Sequence, residues 1–324
     1  MSFNVCTRNP RNARCIVGSR LQTKDRKDRT RRPYDGSVTA RETLPMRLRL
    51  YHHPDGARVA YREVGAGPPL ALLHSGLLSH REWEPVAERL AERHRLVIPD
   101  LPLHGDSEDR PRHPYTIDWF AEVMSGFAND VLGPHPLVVG HDAGAEILLH
   151  ATMTGLMQPS RLVLMPNRLH LPVEHPRKRE AWRLATLGGS LPGVDRLLSH
   201  ATKLVFTPEL GMRMSERHAP EAGDLLRHAF ADVAGNPNLA RSWAKCARRW
   251  PRGPQTHLLD LYPRLEMPVL LLWADHDPLH PLAGAEETLR LLPRGQLRVL
   301  PGTGFLMTYD DPVGVARELV AFCG

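Results

Sequence analysis

The chain has 324 residues, 42% of them hydrophobic and 24% charged, with a formal net charge of +6 at pH 7. That is enough apolar material for one large core with an inserted subdomain, and it excludes disorder throughout. The charge excess is local: residues 1–45 carry 11 Lys and Arg against 4 Asp and Glu, leaving 31 against 32 elsewhere, so the folded part lacks the basic surface a nucleic-acid partner would need.

In chain order, residues 1–45 come first as a basic tail. The stretch TKDRKDRTRRPYDG (23–36) is charge-dense and poor in apolar residues, a composition that cannot offset its ordering entropy, so disorder is expected there. Three readings stay open: an uninformative tail with Met46 as the true start, an Arg-rich targeting segment, or a weak polyanion contact. A secretory signal is not expected, because its apolar run is absent. The four cysteines, Cys6, Cys15, Cys246 and Cys323, have neither disulfide nor metal-ligand spacing, which points to a reducing, cytoplasmic setting without a metal site. No apolar run approaches the roughly 18 residues of a membrane span.

From residue 58, short apolar runs alternate with helical periodicities. The runs are PLALLH (69–74), RLVIPD (95–100), PLVVGH (136–141), RLVLMP (161–166), PVLLLWAD (268–275) and QLRVLPG (296–302). Near-continuous apolar runs suit strands covered on both faces, hence a mostly parallel sheet. Ser79 and Glu82 form a capping-box pattern ahead of Trp83, Val86 and Leu90. Helices are expected over 116–131, 144–156, 282–292 and 312–322, giving an α/β fold. The rhythm breaks over 167–262, where strand-like runs vanish and Arg, His and Pro rise. The predicted organisation is therefore a tail (1–45), a first core part (46–166), a helical cap (167–262) and a second core part (263–324).

The chemistry gathers at the strand ends. VVGHDAG (138–144) sets Gly140, Asp142 and Gly144 between a strand and a helix, the pattern G-x-nucleophile-x-G with Asp as the central acid. His74-Ser75-Gly76 ends an earlier strand, DLPLHGDS (100–107) follows another, and LLWADHDP (271–278) carries Asp277. Together these resemble the α/β-hydrolase superfamily over about residues 47–324, and within it the aspartate-nucleophile branch of haloalkane and haloacetate dehalogenases and epoxide hydrolases. The resemblance implies an α/β-hydrolase fold, Asp142 as nucleophile, Asp277 as the acid, and an oxyanion hole from the N–H groups of Gly76 and Ala143. It implies a cofactor-independent small-molecule enzyme and leaves the oligomeric state open. Ser75 stands where the family has a glycine.

One position departs. The family's histidine follows the last strand, where this chain has Gly302-Thr303-Gly304-Phe305, and no histidine occurs after His280. The chain also lacks the family's usual pair of cap tyrosines, with only Tyr262 in the insertion, and Ala143 stands where the dehalogenases carry Trp or Arg. The expectation is that Asp142 and Asp277 face one another across the apolar ring of Phe305, with one carboxyl kept protonated by the other's charge. His276 and His280 flank Asp277 as possible substitute bases. His74, His104 and His141 are expected to be structural, with His74, His141, Phe305 and Trp182 lining the pocket. Trp182, Trp243 and Trp250 serve either cap packing or substrate contact, Arg168, Arg177, Arg179, Arg183, His170 and His175 hint at a polar or anionic ligand, and Asn167 fits a turn. The leading expectation is an enzyme using Asp142 without the usual histidine, hydrolase-like or of isomerase, lyase or cyclase type. The alternative is a catalytically silent ligand-binding homologue.

Overall fold

All six apolar runs become parallel strands of a single sheet. A computed structural model describes residues 45–108, 110, 112–170, 207–229, 233, 236–251 and 255–324, with isolated positions 177, 180, 184, 194 and 200. The tail apart from Pro45, and Trp182, His175, Arg179 and Arg183 of the insertion, lie outside the described residues. The strands are β1 (Arg47–His52), β2 (Arg58–Val64), β3 (Pro69–Leu73), β4 (Arg95–Pro99), β5 (Leu137–Gly140), β6 (Arg161–Leu164), β7 (Val269–Ala274) and β8 (Gly295–Leu300). Their order is β1-β2-β4-β3-β5-β6-β7-β8. The pairings of β2 with β1 and with β4 are antiparallel and the rest are parallel.

The continuous apolar runs are explained by burial on both faces. Along β7, Val269, Leu271 and Trp273 enter one core, while Leu270, Leu272 and Ala274 enter the other. The first core is closed by α2 (Ile117–Leu132) and α3 (Ala143–Met153), which supply Trp119, Phe120, Phe127, Ile147 and Leu148. The second is closed by α1 (Glu84–Ala91) and the C-terminal helix Pro312–Cys323. The β1–β2 hairpin was not expected. Arg47, Leu48, Arg49 and Leu50 of β1 are all exposed, so this edge strand carries no burial pattern to read.

Between β6 and β7 the described residues form helices Pro208–Arg213, Pro220–Ala229 and Pro237–Arg249 and a 3₁₀ segment Thr256–Arg264, with no strand among them. Thr207 and Asn236 cap two of these helices through their side chains, each just before a proline at the first helical position. Ala222, Leu225, Val233 and Ala240 of this segment pack on Leu78, Phe305 and Leu306 of the core.

Candidate active site

The turn between β5 and α3 is a strand-to-helix elbow with Asp142 at its apex. Asp142 has φ 43° and ψ −112°, a conformation costly for a residue with a Cβ and stable only where its surroundings dictate it. The surroundings do so by hydrogen bonds: His141 N–H to Leu73 O at 3.0 Å, Asp142 N–H to Pro166 O at 3.0 Å and Gly144 N–H to His141 O at 2.9 Å. The flanking glycines are steric necessities. A Cβ on Gly140 would lie 2.6 Å from the Ala145 nitrogen, and one on Gly144 would lie 2.5 Å from Leu73 O.

The two oxygens of Asp142 have different environments. Oδ2 accepts the Gly76 N–H at 3.0 Å. Ala143 is the first residue of α3, and its N–H is among those that have no partner within the helix. Of the two expected donors, Gly76 bonds the Asp142 carboxylate, and Ala143 follows Asp142 as the first residue of α3. Oδ1 lies 3.7 Å from His280 Nε2, too far for a direct hydrogen bond.

His280 corrects the picture of two carboxylates divided by a phenyl ring. Its Nδ1–H donates to Asp277 Oδ2 at 2.8 Å, so a histidine, three residues beyond the acid, lies between Asp277 and Asp142. The other Asp277 oxygen accepts the Leu279 N–H at 2.8 Å, and His280 O accepts the Trp273 indole N–H at 2.8 Å. Burial works to raise the Asp277 pKa, but the His280 ring overrides it and holds the carboxyl below its ordinary range. Asp277 and His280 are both buried.

Phe305 is buried against the same ring, 5.7 Å from His280 with planes 27° apart, and it also meets His141 at 4.6 Å and 39°. The turn bearing Phe305 is tied to the His280 loop by His276 N–H to Thr303 O at 3.0 Å and Thr303 N–H to Asp275 Oδ1 at 3.2 Å.

His74, His104, His276 and His141 each hold at least one polar partner. His74 donates from Nδ1 to Ser75 O at 2.7 Å and accepts the Leu101 N–H at Nε2 at 2.9 Å. His104 bonds Pro102 O, and burial pushes its pKa down to about 3. His276 pairs with Asp275 at 2.8 Å at the surface. His141 bonds Glu82 through Nδ1; burial opposes charge on this ring, yet the Glu82 carboxylate overrides it and raises its pKa. Glu82 also accepts the Ser75 N–H at 2.7 Å, whereas the expected capping bond from Ser79 is not made. The predicted box fails because both Glu82 oxygens face these buried donors.

Trp250 donates its indole N–H to Glu146 Oε2 at 2.8 Å, and Arg168 Nε lies 3.0 Å from Oε1. Glu146 is one turn past Asp142 on α3, and burial raises its pKa. Trp243 meets His104 edge-on at 4.7 Å. Asn167 holds a turn through its bonds to Met165 O and the Leu169 N–H. Among the described residues, the grouping with metal-ligand chemistry is His80, Asp100 and Asp106, and the Arg62 guanidinium already bridges its two carboxylates. No helix of the described residues is long and apolar enough to cross a membrane.

A parallel sheet whose strand-to-helix elbow carries an acid, with a histidine–acid pair beside it, is the architecture of the α/β-hydrolase fold. The chain belongs to the alpha/beta hydrolase fold family, which matches residues 68–312. It is similar to a pimeloyl-[acyl-carrier protein] methyl ester esterase of Vibrio vulnificus, 24% identical over 82% of this chain and 97% of the esterase. An uncharacterized Mycobacterium tuberculosis protein is 26% identical over 79% of this chain and 75% of its own. Among solved structures, the epoxide hydrolase CorEH superposes with a TM-score of 0.70 at 20% identity, covering 86% of this chain and 98% of that one. A thermophilic esterase from Thermogutta terrifontis gives 0.67 at 20% identity with the same coverage. At these identities the structural likenesses carry the fold alone.

Proposed function

We infer that the protein is a small-molecule hydrolase in which Asp142 Oδ1 attacks an electrophilic carbon and forms an ester. The observation that carries this reading is the division of labour within one carboxylate. Oδ2 rests on the Gly76 N–H, where a developing oxyanion needs its donors, while Oδ1 is left to attack. A helix-capping aspartate would turn its side chain back onto its own helix, and Asp142 makes no such bond.

The leaving group is constrained as well. Ring opening of an epoxide calls for a proton donor above the nucleophile, the part that tyrosines of an epoxide hydrolase cap would play. Tyr262, the single tyrosine of the insertion, is fully buried in the core. The reading therefore favours carbon bearing a group that departs as a stable anion, such as a halide, sulfonate or activated carboxylate.

Wild-type protein given 1-bromobutane, 2-bromoethanol or bromoacetate should release bromide, and Asp142→Asn should abolish release. In ¹⁸O-water, the first-turnover alcohol should carry ordinary oxygen from Asp142, with label entering from the second turnover on. Label in the first turnover would replace nucleophilic attack by direct water attack. Phe305, an apolar residue where the family has its base, favours a second reading as a silent binder, and tight ligand retention with no bromide release would decide for it.

A further inference from the structure

An ester on Asp142 is useful only if it is hydrolysed, and hydrolysis needs a base beside Cγ. We propose that His280 is that base: a histidine supplied by the loop after β7, three residues beyond its own orienting acid, replaces the one that Phe305 displaces after β8. The proposal rests on the Asp142 reading above.

Three observations place the ring. Asp277 accepts the Nδ1–H, which fixes the tautomer and leaves the Nε2 lone pair facing Asp142 Oδ1 at 3.7 Å. That gap exceeds a hydrogen bond, so Nε2 does not clamp the nucleophile and can serve a water approaching Cγ. The loop itself is stiff: Pro278 and Pro281 bracket Leu279 and His280, Asp277 bonds the Leu279 N–H, and Trp273 holds His280 O. Phe305 supplies the third restraint as a near-parallel apolar wall against the ring face.

His74, His104, His276 and His141 do not fit. Both ring nitrogens of His74 are engaged, His104 is held neutral by burial and bonded to Pro102 O, and His276 faces solvent with Asp275. His141 is oriented by a carboxylate too, but Glu82 draws it toward its protonated form, the wrong state for a base.

The step balances without a further reactant. Water transfers a proton to His280 Nε2 as its oxygen bonds to Cγ of the ester. The negative charge moves to Oδ2, on the Gly76 and Ala143 N–H groups. Collapse of this intermediate breaks the Cγ–Oδ1 bond, and the departing alkoxide takes the proton back from Nε2, leaving a free alcohol, neutral His280 and an Asp142 carboxylic acid holding one oxygen from water, which loses its proton to solvent to restore the carboxylate.

The test uses the whole chain, the same three bromides, intact mass measurement and peptide mapping. His280→Gln should release one equivalent of bromide and accumulate an ester on Asp142, with turnover reduced by roughly 10²–10⁴-fold, the range for loss of a general base. Asp277→Asn, which misorients the ring instead of removing it, should also accumulate the ester and guards against a folding defect in the first variant. Added imidazole should speed ester hydrolysis in His280→Ala. An ester that forms on Asp142 and clears at the wild-type rate in both His280→Gln and Asp277→Asn overturns the role of His280 and leaves Asp142 standing. No ester and no bromide in any protein, wild type included, overturns the Asp142 reading and this step with it.

Discussion

Glu82 shows how far a local pattern can mislead about one residue. SHRE reads as a capping box, yet the side chain is buried and joins the His74–Gly76 turn to the elbow through the Ser75 N–H and His141. Asp142 was legible because its glycines are dictated by short-range sterics, whereas the contact between His280 and Asp142 joins residues far apart in sequence and exists only once β5 and β7 are in place. Local spacing did allow an Asp277–His280 pair, since a loop of four residues can close on itself. The Glu82–His141 pair yields a signed prediction. The raised His141 pKa means its contribution is fully present below the unfolded value near 6.5 and is lost as pH rises through the higher folded value. Removing one partner of a buried pair costs about 3–5 kcal/mol. Glu82→Gln should therefore lower urea stability most at pH 5.5, with the gap to wild type narrowing by pH 8.5. A gap of constant size across that range would mean His141 is not held protonated by Glu82.

Elements that pair by hydrophobic burial were readable and those that pair by buried polar bonds were not. The six parallel strands announced themselves as unbroken apolar runs because each is covered twice, while β1, exposed at the sheet edge, gave no such pattern. The attachment of the inserted segment was also hidden. Asp310, in MTYDDP, is buried and accepts from the Gly304 N–H at 2.7 Å, the Ser215 hydroxyl, and the Glu216 and Arg217 N–H groups at 3.1 Å. One carboxylate thus fastens the Phe305 turn to the segment between β6 and β7. Asp310→Ala would strand four donors at about 1–3 kcal/mol for each one left buried without an acceptor, so even with water reaching half of them several kcal/mol should be lost. Thermal melts should show this, and limited proteolysis should cut faster within residues 207–229. An unchanged melting temperature with unchanged cleavage would mean that apolar packing through Leu225 and Phe305 suffices.

At the scale of the whole molecule, charge and fold are separable. The eight strands and their covering helices lie within residues Thr43–Gly324, which form one compact unit, while the excess of positive charge lies in residues 1–45. Lys and Arg number 31 against 32 Asp and Glu over the remainder, so attraction to a polyanion should follow the tail and not the sheet. β1 begins at Arg47, and its register with β2 runs from Arg47–Glu63 to His52–Arg58, so a chain starting at Met46 keeps every strand pairing. Such a chain should melt within about 2 °C of the full protein, the shift produced by about 1 kcal/mol in a domain of this size. It should also leave a heparin column at lower salt, because screened charge contacts are the part removed. Bromide release through Asp142 should be unchanged. A fall of many degrees would mean that residues 1–45 contribute to the folded unit, and equal retention on heparin would move the polyanion contact onto the body despite its balanced charge.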